Sequence, residues 1–139
     1  MTEDQNTSNC IFCKIIRGEI PAEKIHEDED SLSFLDINPV NDGHLLIIPK
    51  EHHVNMSMTP NRLIESLFVR AKNLMPVLQQ GTNADFVVLT VVGTDVPHFH
   101  IHLIPRFHKD GLAGFWPVKK YGSSDQMKEV ANKIRSNLT

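Results

Sequence analysis

The stretch Pro97-His98-Phe99-His100-Ile101-His102-Leu103-Ile104-Pro105-Arg106 alternates histidine with apolar residues. Side chains along a β-strand point to opposite faces in turn, so this alternation predicts a strand over residues 97–105. The three histidines would share one face, about 6.6 Å apart along the backbone, and the apolar residues between them would face the core. Three imidazoles on one face of a buried strand indicate a site where imidazole does chemistry.

Two kinds of chemistry use such an array. Imidazole is the commonest metal ligand, and a His-x-His pair can converge on one zinc ion. Imidazole can also act as a nucleophile, an acid or a base near neutral pH, because its ordinary pKa is about 6.5. Asp95 is the nearest acidic residue and precedes the strand in a predicted turn. A site for two metal ions needs several acidic ligands, so the array does not favour one.

Length and composition limit the possible classes of protein. The chain has 139 residues and a formal net charge of −3; 40% of its residues are apolar and 22% charged. We expect one folded domain over residues 10–139, after a flexible tail over residues 1–9. The slightly acidic balance argues against a nucleic-acid partner. The apolar run at residues 45–48 is too short to cross a membrane, and residues 1–9 lack the features of a secretion signal, so we expect a cytoplasmic protein with no membrane partner.

The first half of the chain predicts a short helix and an antiparallel sheet. Residues 10–17 have apolar spacing typical of a helix that ends at Gly18. Short β-branched and apolar runs predict a hairpin and a third, buried strand, over residues 24–26, 31–35 and 44–48.

The second half predicts helix, two strands, helix. A long helix should start at Thr59, as N-cap, and Pro60, with Pro76 ending or kinking it early. Residues 86–92 predict a strand beside the histidine-rich one. Ser123 or Ser124 should cap the last helix, which would turn its apolar side inward: Met127, Val130, Ala131 and Ile134. This order predicts an α+β fold with a mainly antiparallel sheet, a central helix and a C-terminal helix.

Cys10 and Cys13 form a Cys-x-x-Cys pair. In a reducing compartment such a pair binds metal or does redox chemistry more often than it forms a structural disulfide. A chance pair of small apolar residues is the alternative, and the pair alone does not decide between them.

The triad stretch resembles the signature of the histidine triad (HIT) family, in which three histidines alternate with apolar residues. Three further blocks resemble that family, the first of them its zinc-containing bacterial-type members: residues 10–22, 33–39 and 43–52. Phe115-Trp116-Pro117 resembles, more weakly, a C-terminal Trp-Pro of one branch, where the tryptophan reaches the partner subunit's site. The similarity covers residues 10–106 and implies a HIT-like fold.

The resemblance implies an enzyme that acts at the α-phosphate of a purine nucleotide derivative. His100 would attack the phosphorus to form a nucleotidyl-histidine intermediate, while His102 and His44 donate hydrogen bonds to the phosphate. The substrate would be an adenylyl phosphoramidate or a dinucleoside polyphosphate, and the protein a homodimer. The alternatives are a nucleotide-binding interaction module with little catalysis and a catalytic zinc on the triad. For His44, a capping role at the start of a strand is also open.

Substrate-binding residues follow from the same resemblance. Asp36 would accept hydrogen bonds from the ribose hydroxyls, although an aspartate before Asn-Pro also shapes turns. Apolar residues would line a base pocket that discriminates poorly between purines: Ile11, Phe12, Phe34 and Ile37. The loop before the triad departs from the family pattern, since Thr94 stands where glutamine is usual. Thr94 either donates its hydroxyl to the substrate or only forms a turn.

The resemblance also implies two further features. A backbone carbonyl should hold one nitrogen of His100, and we expect that carbonyl near His44 or in Val92-Gly93. Zinc should be held by the two cysteines and two histidines: Cys10, Cys13, His98 and His52, or failing that His53. Such a site is closed, so the zinc would be structural and would tie the N-terminal helix to the triad.

Overall fold

A five-stranded antiparallel sheet is the framework of the protein. The computed structural model describes residues 7–112 and 118–138. The strands stand in the order β1-β2-β3-β5-β4, and every neighbouring pair is antiparallel. Their bounds are β1 Lys24–Glu27, β2 Ser31–Leu35, β3 Leu45–Pro49, β4 Phe86–Thr90 and β5 Ile101–Arg106. The predicted α+β class and antiparallel sheet are confirmed.

Three helices accompany the sheet in the described residues: α1 Ile11–Ile16, α2 Asn61–Thr82 and α3 Ser124–Arg135. Strand β3 is buried on both faces because α1 and α2 lie on opposite sides of the sheet. Leu45 and Ile47 pack with α2, whereas Leu46 and Ile48 pack with the residues of α1. The sheet therefore separates two apolar cores.

Helix α2 corrects one prediction. Pro76 lies inside it, yet the helix continues to Thr82 and ends at Asn83, which has a φ of 60°. A proline inside a helix removes one hydrogen bond and costs about 3 kcal/mol. Burial of Leu74 and Leu78 on either side of Pro76 against the sheet offsets that cost. The start is also displaced by one residue, because Pro60 and not Thr59 occupies the N-cap position.

The triad strand is shorter than predicted. Pairing in β5 begins at Ile101, so only His102 of the three histidines lies in the ladder. Before it, the N–H of His98 donates to the carbonyl of Val96 and the N–H of Phe99 donates to that of His53. These contacts take the chain out of sheet register. Strand β4 likewise ends at Thr90, two residues before the predicted end.

Helix α3 also differs from expectation. Ser123 caps it as predicted, its side chain accepting a hydrogen bond from the N–H of Gln126. Its predicted inner side is only partly covered, since Val130 and Ala131 are half-buried whereas Met127 and Ile134 are 56% and 63% exposed. The hydrophobic spacing predicted the helix correctly but did not specify what covers it.

Two predictions fall on residues outside the described ranges. Trp116 lies outside them, as do residues 1–6 of the flexible tail predicted over residues 1–9. Within the described part of that tail, the carbonyl of Thr7 accepts hydrogen bonds from the N–H of Cys10 and the side chain of Arg17.

Candidate functional site

Three buried imidazoles meet on the sheet face that carries α1. His44 directly precedes β3, His100 directly precedes β5, and His102 lies in β5 opposite Leu46 of β3. The ring centroids of His100 and His102 are 4.9 Å apart, and those of His44 and His102 are 5.2 Å apart. The antiparallel register of β3 and β5 thus joins His44 to histidines that lie more than 50 positions later in the chain.

The proton on His100 is positioned by the backbone. Nδ1 of His100 lies 2.7 Å from the carbonyl oxygen of His98. A carbonyl can only accept, so Nδ1 must donate and the lone pair of the neutral ring lies on Nε2. Within the described residues, this buried Nε2 has no hydrogen-bond partner. The carbonyl predicted near His44 or Val92-Gly93 therefore comes from the triad itself, because the chain bends at His98 before it enters β5.

A series of hydrogen bonds determines which nitrogen carries the proton in each of the other two rings. The N–H of Val40 donates to Nδ1 of His44 over 3.0 Å, so neutral His44 carries its proton on Nε2. That Nε2 lies 2.9 Å from Nδ1 of His102, which must accept. His102 then carries its own proton on Nε2, a buried atom with no partner in the part of the chain described. The site presents a lone pair on His100 beside an N–H donor on His102.

Burial favours the neutral form of His102 and of His44. Desolvation lowers the pKa of His102 to about 4, helped by repulsion from the neighbouring imidazoles in their protonated form and opposed by Asp36 and Asp95. Desolvation also lowers the pKa of His44, and Asp36 opposes it. A neutral imidazole is the form in which the proton assignments above hold.

Two carboxylates border the triad. Oδ1 of Asp36 accepts the N–H of Asn38 and shapes a turn, while Oδ2 lies 3.6 Å from Nε2 of His44. Oδ1 of Asp95 lies 3.5 Å from Nε2 of His100 and also accepts the N–H of Val96. Asp36 therefore shapes the turn and also places a carboxylate oxygen beside the triad. The position of Asp95 in the sequence indicated only that it is the acid nearest to the triad, and the bend before β5 is what brings its carboxylate to His100.

The four residues predicted to line the base pocket differ in their exposure and in their contacts with the triad. Phe12 packs edge-on against His100, with ring centroids 5.1 Å apart, and against Phe34 at 5.7 Å. Ile11, on α1, is about half exposed, and Ile37 is 87% exposed. Thr94 is exposed in the loop one residue before Asp95. The structure therefore brings Phe12 and Phe34 to the triad and leaves Ile37 and Thr94 at the surface.

A second cluster joins α1 to the triad segment. Cys10, Cys13, His52 and His98 are all buried, with ligand atoms within 4.8 Å of one another. Sγ of Cys10 and of Cys13 lie 3.3 and 3.6 Å from Nδ1 of His98, and Nδ1 of His52 lies 3.1 Å from that same atom. A tetrahedral zinc with ordinary bond lengths separates sulfur from nitrogen by about 3.6 Å and nitrogen from nitrogen by about 3.3 Å. The four residues fit zinc.

Protonation in this cluster also fits a metal. Nε2 of His98 lies 2.9 Å from the carbonyl of Pro49 and must donate to it, which leaves the Nδ1 lone pair facing the sulfurs. Burial, together with Cys10, raises the pKa of the Cys13 thiol to about 12. A metal would displace that proton and form a thiolate. His53, the other candidate ligand, instead contacts Glu51 at 3.1 Å.

Arg106, at the end of the triad strand, has a structural role. It is buried, and its guanidinium contacts Asp110 at 2.6 Å and donates to the carbonyl of Leu112 over 2.8 Å. These contacts tie the end of β5 to the following turn.

Most of the chain matches one known protein family. The family model of the HIT domain matches residues 17–109. The chain belongs to the HIT family. As a HIT protein it is 40% identical over 126 residues to an uncharacterized HIT-like protein of Methanocaldococcus jannaschii, a match that covers 87% of this chain and 98% of that protein.

Two relatives of this HIT protein carry the names of enzymes. The adenosine 5'-monophosphoramidase of Saccharomyces cerevisiae is 40% identical over 116 residues, covering 80% of this chain and 72% of that enzyme. An adenylylsulfatase of Arabidopsis thaliana is 38% identical over 110 residues, covering 76% of this chain and 56% of that protein. These names support a hydrolase of the HIT type.

Solved structures share the fold. A HIT family protein of Bacillus subtilis superposes with a TM-score of 0.82 at 33% identity, covering 94% of this chain and 98% of that one. A zinc-bound histidine triad protein of Mycobacterium smegmatis has a TM-score of 0.73 at 28% identity, covering 95% and 99%. No helix among the described residues is long and apolar enough to cross a membrane.

Proposed function

We propose that this HIT protein cleaves a purine nucleotide derivative at its α-phosphate through a nucleotidyl-histidine intermediate. The observation that supports this most directly is the hydrogen bond from His100 Nδ1 to the carbonyl of His98. It leaves a lone pair on Nε2 of a buried, packed ring, which is what a nucleophile requires. The phosphoramidase and adenylylsulfatase relatives support the same chemistry.

The reaction proceeds in two steps. Nε2 of His100 forms a bond to the α-phosphorus while the bond from phosphorus to the leaving group breaks, and the leaving group takes the electron pair. Water then attacks the same phosphorus, the nitrogen–phosphorus bond breaks, and the electron pair returns to Nε2. The products are the nucleoside monophosphate and the leaving group, which gains the proton that water loses.

His102 and His44 support both steps in different ways. The Nε2–H of His102 is the donor that we assign to the phosphoryl oxygens, where negative charge develops. His44 uses its own N–H on His102 and so acts as a positioning residue that maintains the protonation of its neighbour. This refines the sequence-based role for His44, in which it donated directly to the phosphate.

The remaining residues bind the nucleoside. We assign the ribose hydroxyls to Asp36, whose Oδ2 faces His44, and the base to the surface that Phe12 and Ile11 form. Phe34 supports Phe12 from behind. Ile37 and Thr94 stay proposed contacts on the open side of the site. An apolar surface with few hydrogen bonds to the base would accept adenine or guanine.

Zinc, held by the two cysteines, His52 and His98, would have a structural role. All four positions are taken by protein ligands, so none is left to activate water. We infer a cytoplasmic location, where such thiols stay reduced. We also infer a homodimer, since the exposed apolar side of α3 needs a cover; sedimentation velocity tests this.

The deciding experiment combines a substrate panel with detection of the intermediate. Wild-type protein is mixed with adenosine phosphoramidate, adenylyl sulfate and diadenosine tetraphosphate, and rapidly quenched samples are analysed by intact mass. We expect release of AMP and one adenylyl group on His100. His100→Ala should lose both while still binding AMP, and His108→Ala, a change at an exposed histidine, should lose neither.

Two outcomes would overturn this proposal. Tight AMP binding with no AMP release from any substrate would mean a binding module. Release of AMP by His100→Ala at the wild-type rate would mean that another group is the nucleophile. Turnover that persists in metal-free, folded protein would exclude the alternative of a catalytic zinc on the triad.

A further inference from the structure

The carboxylate of Asp95 lies at the attacking atom of the triad. Its Oδ1 is 3.5 Å from Nε2 of His100, about the distance at which an attacked phosphorus would lie from the same atom. Oδ1 also accepts the N–H of Val96 over 3.0 Å, which fixes the carboxylate relative to the backbone of its own loop. The group is therefore held at the reaction centre, although its side chain is 67% exposed.

Asp95 carries its negative charge at neutral pH. Partial burial would raise its pKa, but the hydrogen bonds from its own N–H and that of Val96, with the nearby His100 and His102, lower the pKa overall. Asp36 places a second carboxylate at the opposite imidazole, 3.6 Å from His44. The titratable groups that act on His102 are these two carboxylates and the imidazoles of His100 and His44. Two carboxylates therefore border the reaction centre, one on each side of His102.

We propose that Asp95 determines which leaving groups this site prefers, disfavouring anionic polyphosphates and favouring neutral or cationic amines. The inference rests on the proposed function, in which Nε2 of His100 attacks the α-phosphorus. A phosphoramidate releases an amine, whereas a dinucleoside polyphosphate releases a nucleotide with several negative charges. The α-phosphate itself is common to both substrates, so its repulsion from Asp95 does not distinguish them.

The charge of Asp95 reaches the leaving group wherever that group lies. In a near-attack geometry the phosphorus is about 3–3.5 Å from Nε2, and the leaving atom is one bond farther, at about 5 Å. Oδ1 lies 3.5 Å from the same Nε2, so its distance to the leaving atom is at most about 8.5 Å. That upper bound is about one screening length, which is ~8 Å at physiological ionic strength, so the charge is only partly screened at the leaving atom.

The test compares Asp95→Asn with the wild type on substrates whose leaving groups are neutral, cationic and anionic. Asparagine keeps Oδ1 as an acceptor for Val96 and removes the charge. The substrates are the adenosine phosphoramidates of butylamine and of 1,4-diaminobutane, which carries an ammonium, and diadenosine tetraphosphate. We expect kcat/KM for the tetraphosphate to rise roughly tenfold relative to the butylamide, and that for the diaminobutane amide to fall by a few-fold.

Asp125→Asn is the matched control, since it makes the same charge change at an exposed position in the first turn of α3. It should leave all three kcat/KM ratios unchanged. The change that Asp95→Asn causes in these kcat/KM ratios should also become smaller in 1 M salt, where the screening length is about 3 Å. Ratios that move no more in Asp95→Asn than in Asp125→Asn overturn the proposal.

A binding measurement separates this inference from the proposed function. Asp95→Asn should strengthen binding of ATP relative to AMP, because the β- and γ-phosphates represent an anionic leaving group and no turnover is needed. Suppose that the wild type cleaves no substrate, and that Asp95→Asn still shifts the ratio of ATP affinity to AMP affinity. The proposed function then fails, and the charge selection by Asp95 stands. If the wild type turns over substrate and Asp95→Asn shifts neither the kcat/KM ratios nor the ratio of ATP to AMP affinity, the proposed function stands and the role of Asp95 is rejected.

Discussion

The carbonyl oxygen of His98 accepts a hydrogen bond from Nδ1 of His100 over 2.7 Å, and the side chain of the same His98 faces Cys10 and Cys13. One residue therefore belongs to both clusters, through its backbone to the proposed nucleophile and through its imidazole to the proposed zinc site. A ligand that fixes the His98 ring also fixes the peptide that orients His100. This connection is the basis of the first prediction.

Removal of the metal ligands should destabilise the protein and lower kcat more than it raises KM. In Cys10→Ser/Cys13→Ser we expect zinc content to fall to zero and the melting temperature to fall by about 10 °C. Nucleotide binding should be largely retained, since Asp36 lies outside the cluster. Metal analysis, calorimetry and steady-state kinetics measure these three quantities.

The two neighbouring histidines provide the control for this prediction. His52→Gln should behave like the cysteine variant, whereas His53→Gln should keep its zinc, because His53 contacts Glu51 and not the sulfurs. A protein that binds no zinc as purified or after reconstitution, or in which only His53→Gln loses it, would contradict the assignment of the cluster.

Asp36→Asn should weaken recognition of the ribose. The Oδ1 contact to Asn38 can remain, but the negative oxygen beside His44 is lost, and a hydrogen bond to a charged group is worth about 1.5–3 kcal/mol. We expect KM for an adenosine phosphoramidate to rise by roughly one to two orders of magnitude. The same substrate without ribose hydroxyls should be affected much less.

Asp42→Asn, at an exposed acid in the same loop, is the control and should change neither KM. Equal losses for the substrates with and without hydroxyls would mean that Asp36 acts only through the shape of its turn.

Acid should destabilise the protein before its carboxylates titrate. Burial lowers the pKa of His102 from 6.5 to about 4, so protonation favours the unfolded chain. The contribution of His102 to the free energy of unfolding is fully present above pH 6.5 and is lost as the pH falls towards 4. A shift of this size corresponds to about 3 kcal/mol. Urea unfolding at pH 7.5, 5.5 and 4.5 measures the loss.

His102→Gln should flatten that part of the stability profile, and His108→Gln, at an exposed histidine, should not. Identical pH profiles in the two variants would show that His102 is not buried in its neutral form. His44, whose pKa is also lowered by burial, should show the same direction of change.

Gly43→Ala should disturb the triad through the backbone next to His44. Gly43 has a φ of 92°, and a Cβ there would lie 2.5 Å from Cγ2 of Thr82 and 3.2 Å from Cγ of Pro105. The positive φ and the overlap together should lower the free energy of unfolding by about 3 kcal/mol. Activity should fall as well, because His44 moves with this peptide.

Gly18→Ala is the matched control, since its φ of 79° is similar and nothing lies within 4 Å of the new Cβ. It should cost about 1 kcal/mol of stability and no activity. Equal costs at the two positions would contradict the close approach of Gly43 to α2.

The sequence was sufficient for the fold class and for the selection of candidate reactive groups. Period-two alternation of histidine identified the triad, apolar spacing identified α2, and Cys-x-x-Cys marked one end of the metal cluster. Each of these signals is local, since it depends on which face of one strand or helix a residue occupies. Local periodicity cannot give the ends of elements, and so β5 started later than predicted and α2 passed through Pro76.

Tertiary structure decided how those groups work. The proton on His102 depends on His44, 58 positions earlier, and that contact exists only because β3 and β5 pair with Leu46 opposite His102. The carbonyl that orients His100 and the carboxylate that faces it come from a bend before β5 that hydrogen bonds across the fold create. The choice of His52 over His53 has the same origin. The sequence alone indicated which imidazoles form the site. The register of the strands decided their tautomers and the charges near them, because a hydrogen bond between distant residues depends on distances that no local pattern encodes.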